Sequence, residues 1–186
     1  MKPTSSKMLA ALACSVVPFA LSSAATPQSS AFSPTDPLGK FVGSGTCTGE
    51  IMAMGKNPGR AITGKLHSEM DLDGHWVAIH FDEDRNAGSR KPFSIVQYIG
   101  YDPAKKHYVT VMFDNTGSGY ITGTSPGWEG DSITFEESVL MRDGKHVASR
   151  DTFISKANGT MSHTGWMKDA SGQWIKGEVE TCHIES

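Results

Sequence analysis

The 186-residue sequence lacks the long, purely apolar run of about 20 residues that a membrane-spanning helix requires. It also lacks the clustered ligands of a structural zinc site, since no HExxH, HxH or CxxC pattern occurs among its seven histidines and three cysteines. Basic clusters are nearly absent. The only adjacent basic pairs, Arg90-Lys91 and Lys105-Lys106, sit in turn-like segments without interleaved aromatics, which argues against a nucleic-acid partner. Amphipathic helices are missing too, because Gly or β-branched residues interrupt almost every window before an i, i+3, i+4 pattern develops.

What is present points to an exported, turn-rich chain. Lys2 and Lys7, an apolar run ending at Leu21 and small residues up to Ala25 have the layout of a secretory signal peptide, so residues 1–25 are expected to be removed and the mature chain to start near Thr26. Pro18 interrupts the apolar run, and the mature chain has no integral membrane segment. An alternative is lipidation at Cys14, in the segment Ala11-Leu12-Ala13-Cys14, although few apolar residues precede it. Residues 26–37 (TPQSSAFSPTDP) have no periodic pattern and are expected to form a flexible linker to a single domain over 38–186. Removal of Lys2 and Lys7 changes the charge balance from 17 basic against 20 acidic residues to 15 against 20, a mildly acidic −5. A periplasmic or secreted location follows from this reading.

The domain reads as strands. Runs over 40–54, 61–72, 75–82, 93–101, 107–114, 119–124, 132–142, 146–156, 160–168 and 173–184 are separated by Asp73-Gly74, Asp143-Gly144, Asn158-Gly159 and Ser171-Gly172, dipeptides preferred by tight hairpins. Val77, Ile79 and Phe81 alternate with Trp76, Ala78 and His80, and Val109, Val111 and Phe113 repeat the period of two. About ten consecutive antiparallel strands form an up-and-down meander. Closure into a β-barrel removes its two exposed edges. Cys47 lies in the first strand and Cys182 in the last, so closure makes them neighbours and predicts a disulfide at the seam; two free buried thiols are the alternative.

Leu38-Gly39-Lys40-Phe41-Val42-Gly43-Ser44-Gly45-Thr46, Ile99-Gly100-Tyr101-Asp102 and Phe113-Asp114-Asn115 resemble the bacterial domain of unknown function 1579 family over most of 38–184. The resemblance implies a calycin-like barrel, related in shape to lipocalins and fatty-acid-binding proteins. It carries no established reaction and no catalytic residues. Related calycin barrels include haem binders with a histidine ligand, and His183 beside Cys182 is the residue such a role would use; a surface histidine is the expected reading, and no cofactor is implied.

Catalytic constellations are weak. Glu136-Glu137 and Asp82-Glu83-Asp84 are consecutive, so they alternate between strand faces and read as solvated charges rather than as a paired acid and base. No metal site or catalytic residue is assigned. The aromatics remain, and Trp76, Tyr98, Tyr108, Phe113 and Trp166 are the candidates for lining a ligand cavity, unless they only fill the core. The expected function is binding of a small, largely apolar molecule in the barrel. An enzyme using the same cavity would instead show titratable groups converging there, and a structural or interaction module would be filled.

Overall fold

The computed structural model describes residues 37–55, 58–85, 91–117 and 119–185, so the expected signal peptide, Cys14 and all of the linker but Pro37 lie outside the described residues. Pro37–Phe41 form a 3₁₀ turn that leads into β1 (Gly43–Ile51) and β2 (Arg60–Asp71), and a second 3₁₀ turn, Leu72–Gly74, precedes β3 (Trp76–Glu83). The chain continues through β4 (Ser94–Asp102), β5 (His107–Asp114), β6 (Tyr120–Ser125) and the two-residue β7 (Trp128–Glu129). Then follow β8 (Ser132–Leu140), β9 (His146–Lys156), β10 (Thr160–Lys168) and β11 (Trp174–Glu185). Successive strands pair antiparallel, β6 pairs with β8 past the short β7, and β11 returns to β1, so the sheet closes on itself. The fold is a closed, ten-stranded, all-β barrel with β7 as a spur, as the hairpin spacing predicts.

Closure depends on the seam. β1 and β11 pair from Ser44↔Glu185 to Ile51↔Glu178, with Cys47 directly opposite Cys182. Those two residues form the predicted disulfide, with Cα atoms 4.0 Å apart and both side chains buried.

Two local features differ from the sequence expectation. Lys40 and Phe41 belong to a 3₁₀ turn instead of the first strand, because the Phe41 ring is drawn into the barrel end beside β3 rather than along its wall. The Asp-Gly, Asn-Gly and Ser-Gly turns at 143–144, 158–159 and 171–172 place only the glycine at positive φ. Gly144, Gly159 and Gly172 donate back to Met141, Lys156 and Asp169 respectively, giving a type I turn followed by a left-handed glycine in place of a mirror-image two-residue turn.

The strand ends define two different barrel mouths. At one, Phe41 (1% exposed) packs against Trp128 and Phe153 at centroid distances of 5.2 and 5.6 Å. The buried Ser68 hydroxyl bridges to the Phe41 and Gly43 carbonyls. Lys40 adds an outer latch, donating to the Gly130 carbonyl (3.1 Å) with its ammonium 4.3 Å from the Trp128 ring centre. This plug seals a core containing Val77, Ile99, Ile133, Phe135 and Phe153. The opposite mouth has no such plug among the described residues and opens into a cavity. On β1 and β2 the outward positions are polar, with Thr46, Thr48 and Glu50 on one strand and Thr63, Lys65, His67 and Glu69 on the other. Among the described residues no helix is long and apolar enough to cross a membrane.

The bridge closes a loop of 135 residues, for which the chain-entropy treatment gives a contribution of roughly 4–5 kcal/mol. Cys47→Ser/Cys182→Ser is therefore expected to lower unfolding free energy by about 2–5 kcal/mol in urea denaturation. An unchanged midpoint would contradict a stapled seam.

Candidate functional site

The cavity follows from strand parity. Positions that share a face with the buried Cys47, Ile62, Phe81, Ile99 and Cys182 point inward, and near the open mouth many of them enclose about 200 Å³ of free space. Ile62, Leu66, Ile79, Phe81, Ile95 and Met112 supply an apolar wall. At the rim, Arg60 forms a two-pronged ion pair with Glu83, whose carboxylate also accepts the Phe93 N–H at 3.0 Å. Burial alone would raise the Glu83 carboxyl, but the bonds from Arg60 and Phe93, with the charge of Arg60, hold it below the usual range.

The opposite wall, built by β9, β10 and β11, is acidic. One row of the barrel runs Phe135↔Asp151↔Gly165↔Glu178↔Ile51↔Arg60, and the next runs Phe153↔His163↔Glu180. Gly165 has a structural reason to be glycine. A Cβ there would lie 3.2 Å from Asp151 Oδ1 and 3.3 Å from Glu178 Oε1, so the missing side chain lets both carboxylates converge over the strand. His163 lies beside them, stacked on Phe153 with centroids 4.7 Å apart. Its Nε2 is 3.3 Å from Asp151 Oδ1 and its Nδ1 is 3.6 Å from Glu178 Oε1, within ion-pair reach, although Nε2 lacks a well-aligned hydrogen bond. On β8, Glu137 (7% exposed) accepts a hydrogen bond from Ser149 on Oε2 at 3.2 Å and leaves Oε1 without a partner. Glu180 Oε1 is likewise buried and unpartnered.

These groups shift one another. Burial and then the charge of Asp151 push the Glu137 carboxyl up to about 9. Burial followed by Glu178 raises Glu180 to about 7 despite the opposing charge of His163. Burial also raises Glu178. For His163 burial acts downward, but Asp151, Glu178 and Glu180 outweigh it and raise the imidazole to about 10. The shifts favour an imidazolium at His163, between Asp151 and Glu178, together with a protonated Glu137 at neutral pH.

Of the sequence candidates, Phe113 lines the cavity, at its rim and 49% exposed, with Tyr120 as its ring partner. Tyr108 is buried at the plugged end, in a groove with Tyr101 and Trp128. Trp76, Tyr98 and Trp166 occupy strand positions of the outward parity: Trp76 covers Gly100, and Lys176 approaches Trp166 to 5.2 Å. The structure therefore does not bring the five aromatics together. His183 is exposed, opposite the equally exposed Thr46, and does not face the interior.

The consecutive acids are not all solvated. Alternation places Glu136 outside, bonded to Arg150 at 2.7 Å, and Glu137 inside; Asp82 is exposed while Glu83 is buried. The acidic wall was the main omission, yet it had a signal. In Glu178-x-Glu180-x-Cys182 a period of two carries both carboxylates inward with the disulfide. The segment Gly123-Thr124-Ser125-Pro126-Gly127 has G-x-S-x-G spacing. Ser125 ends β6, is buried, and its Oγ accepts the Gly127 N–H at 3.2 Å with no helix following, so it is not a nucleophile elbow.

A family model described as protein of unknown function (DUF1579) matches residues 33–178. No curated protein sequence matches the chain. Among solved structures, the crystal structure of Rv2717c from M. tuberculosis is similar with a TM-score of 0.61 at 16% identity, covering 80% of this chain and 95% of that one. At that identity the likeness concerns the fold.

The shifted groups make stability depend on pH with a definite sign. A group with a raised folded pKa favours folding at low pH and loses that contribution as pH rises through its folded value. The windows run from 4.5 to about 7 for Glu180, from 4.5 to about 9 for Glu137 and from 6.5 to about 10 for His163. The lowered carboxyl of Glu83 acts in the acid range, outside these windows above the ordinary value. Thermal unfolding should therefore shift to lower temperature between about pH 6 and pH 10, and Glu137→Gln should flatten the slope up to about pH 9. A midpoint independent of pH in both proteins would contradict the cluster's electrostatics.

Proposed function

The chain belongs to the DUF1579 family of proteins of unknown function, and from that premise we propose that it is an exported barrel that binds a small molecule with an apolar body in its cavity. The observation that carries this reading is the asymmetry of the barrel: one end is packed solid behind Phe41, whereas the other keeps about 200 Å³ of space walled by Ile62, Leu66, Ile79, Phe81, Ile95 and Met112. Apolar walls with a few convergent polar groups are the usual composition of a small-molecule site. Export is supported by the seam disulfide, which persists in oxidising compartments, and by the signal-like layout of residues 1–25.

Binding is tested with 1-hexanol as a neutral apolar probe, followed by ligand-observed NMR. Wild type is expected to bind it. Met112→Trp, which fills the cavity from β5, should abolish the signal while circular dichroism shows the strands intact. Retained binding in that variant would place the probe elsewhere. Native mass spectrometry of protein recovered from its own compartment should also show an adduct that disappears on denaturation.

A second reading has its own observation. Titratable groups converge in the cavity, with Glu180 raised to about 7 and His163 to about 10, and Glu137, raised to about 9, couples to them from the barrel interior, the arrangement that acid–base catalysis uses. Proton transfer to or from a bound carbonyl compound is the reaction class it fits. Incubation with 2-hexanone in D₂O should then deuterate its α-carbons faster than buffer does, with the excess lost in Asp151→Asn. Exchange at the buffer rate would leave the barrel a binder.

A further inference from the structure

Among the described residues, Glu83, Glu137, Asp151, Glu178 and Glu180 face inward against two basic groups, Arg60 and His163, and Asp114 adds another carboxyl at the rim. Arg60 is committed to Glu83. His163 is flanked by Asp151 and Glu178. Arg60 is therefore paired and His163 stands between two carboxyl groups, its Nε2 without a hydrogen-bond partner, while oxygen atoms of Glu137 and Glu180 remain buried without a donor. Buried carboxylate oxygens without partners are costly, and they are absent from most interiors. Glu137, more than nine-tenths buried, faces inward on β8 with one oxygen bonded to Ser149 and the other free, and its ionisation is perturbed by Asp151, His163 and Glu178. Across the cavity the wall is apolar. The missing component has donors at one end and hydrocarbon at the other.

We propose that the ligand is an amphiphilic cation, with its apolar body against Leu66, Ile79, Phe81 and Met112 and an ammonium or amidinium head donating to Asp151, Glu178 and Glu180. This rests on the binding reading above and narrows it. An ammonium brings three donors and no acceptor, which suits a wall of acceptors; an amidinium offers a planar fork to two carboxylates. A carboxylate-headed ligand of the fatty-acid type is disfavoured, because its charge would meet the acidic surplus with Arg60 already paired to Glu83 and His163 already placed between Asp151 and Glu178. A neutral head would leave the surplus charge unchanged.

The test compares 1-hexanol, hexylamine and hexanoate by isothermal titration calorimetry with the full mature chain at about pH 8. Hexylamine is expected to bind at least about tenfold more tightly than 1-hexanol, as charged hydrogen bonds allow, and hexanoate more weakly than either. In Asp151→Asn/Glu178→Gln, the amine should fall to the alcohol's affinity while the alcohol is unaffected. Should that double variant fail to fold, the wild type still decides. In a second titration at about pH 6, Glu180, raised to about 7, must ionise to hold the amine, so hexylamine, unlike 1-hexanol, should release protons, read as a binding heat that varies with the buffer's ionisation enthalpy. Hexanol binding as tightly as hexylamine would overturn the cationic ligand and leave the apolar cavity standing. Failure of all three probes to bind would overturn both readings.

Discussion

Everything inside this barrel depends on the pairing of its first and last long strands. Until β11 meets β1, each is an edge with unpaired backbone groups, and no position is interior in a definite sense. Once they pair with Cys47 opposite Cys182, the register is fixed and the period of two determines the rest. A shift of one residue would turn Glu178 and Glu180 to solvent and bring Thr181 and His183 inward. The disulfide therefore fixes more than the strand ends. Because it lies on the same face as the acidic wall, it also fixes which side chains face the cavity.

That interior contains two kinds of buried charge. At the rim Arg60 and Glu83 satisfy each other, with the Phe93 N–H as a third partner, and such a pair needs nothing further. On the opposite wall Asp151 and Glu178 flank one imidazole, and Glu180 and Glu137 feel its charge. Breaking or leaving incomplete a buried ionic arrangement costs several kcal/mol, whereas a purely apolar lining of similar volume would avoid that cost. A fold optimised only for stability would not arrange four carboxyl groups around one base. Nor would it leave space over Gly165 for two of them to converge, when an apolar residue with smaller neighbours would fill the gap. Local instability of this sort is characteristic of sites retained for binding or chemistry.

The fold was largely legible because its signals are local. Asp143-Gly144, Asn158-Gly159 and Ser171-Gly172 mark three hairpins, and Val77-x-Ile79-x-Phe81 gives a strand with one apolar face. The Cys47–Cys182 pairing followed from closure. The 3₁₀ plug was less visible, since Lys40-Phe41 continues an apolar-alternating pattern and only the packing of Phe41 on Trp128 and Phe153 draws it off the wall. The site was the least legible part. Aromatic residues suggest a pocket by their size, but parity sends Trp76, Tyr98 and Trp166 outward, where Trp76 covers Gly100 and Trp166 meets Lys176 instead of ligand. Glutamates suggest solvent by their charge, and here the same parity carries Glu137, Glu178 and Glu180 inward. Residue type misled where face assignment would have succeeded, and the face could be assigned only from an anchor such as Cys182.

The division of the barrel into a packed half and an open half gives the acidic wall its chemical meaning. Had the plug of Leu38 and Phe41 been absent, water would reach the interior from both ends and screen the carboxylates, leaving their ionisation near that of free acids. With that end sealed by Phe41, Trp128 and Phe153, the ring of Phe153 forms part of the cavity lining and stacks on His163, holding the imidazole between Asp151 and Glu178. The same phenylalanine thus connects the plug to the charged site. Burial raises Glu137 and Glu180, and the raised Glu180 in the cavity lining is one that a donor entering from the open end can still ionise. The hydrophobic packing at one mouth and the polar recognition at the other are consequently parts of one electrostatic arrangement.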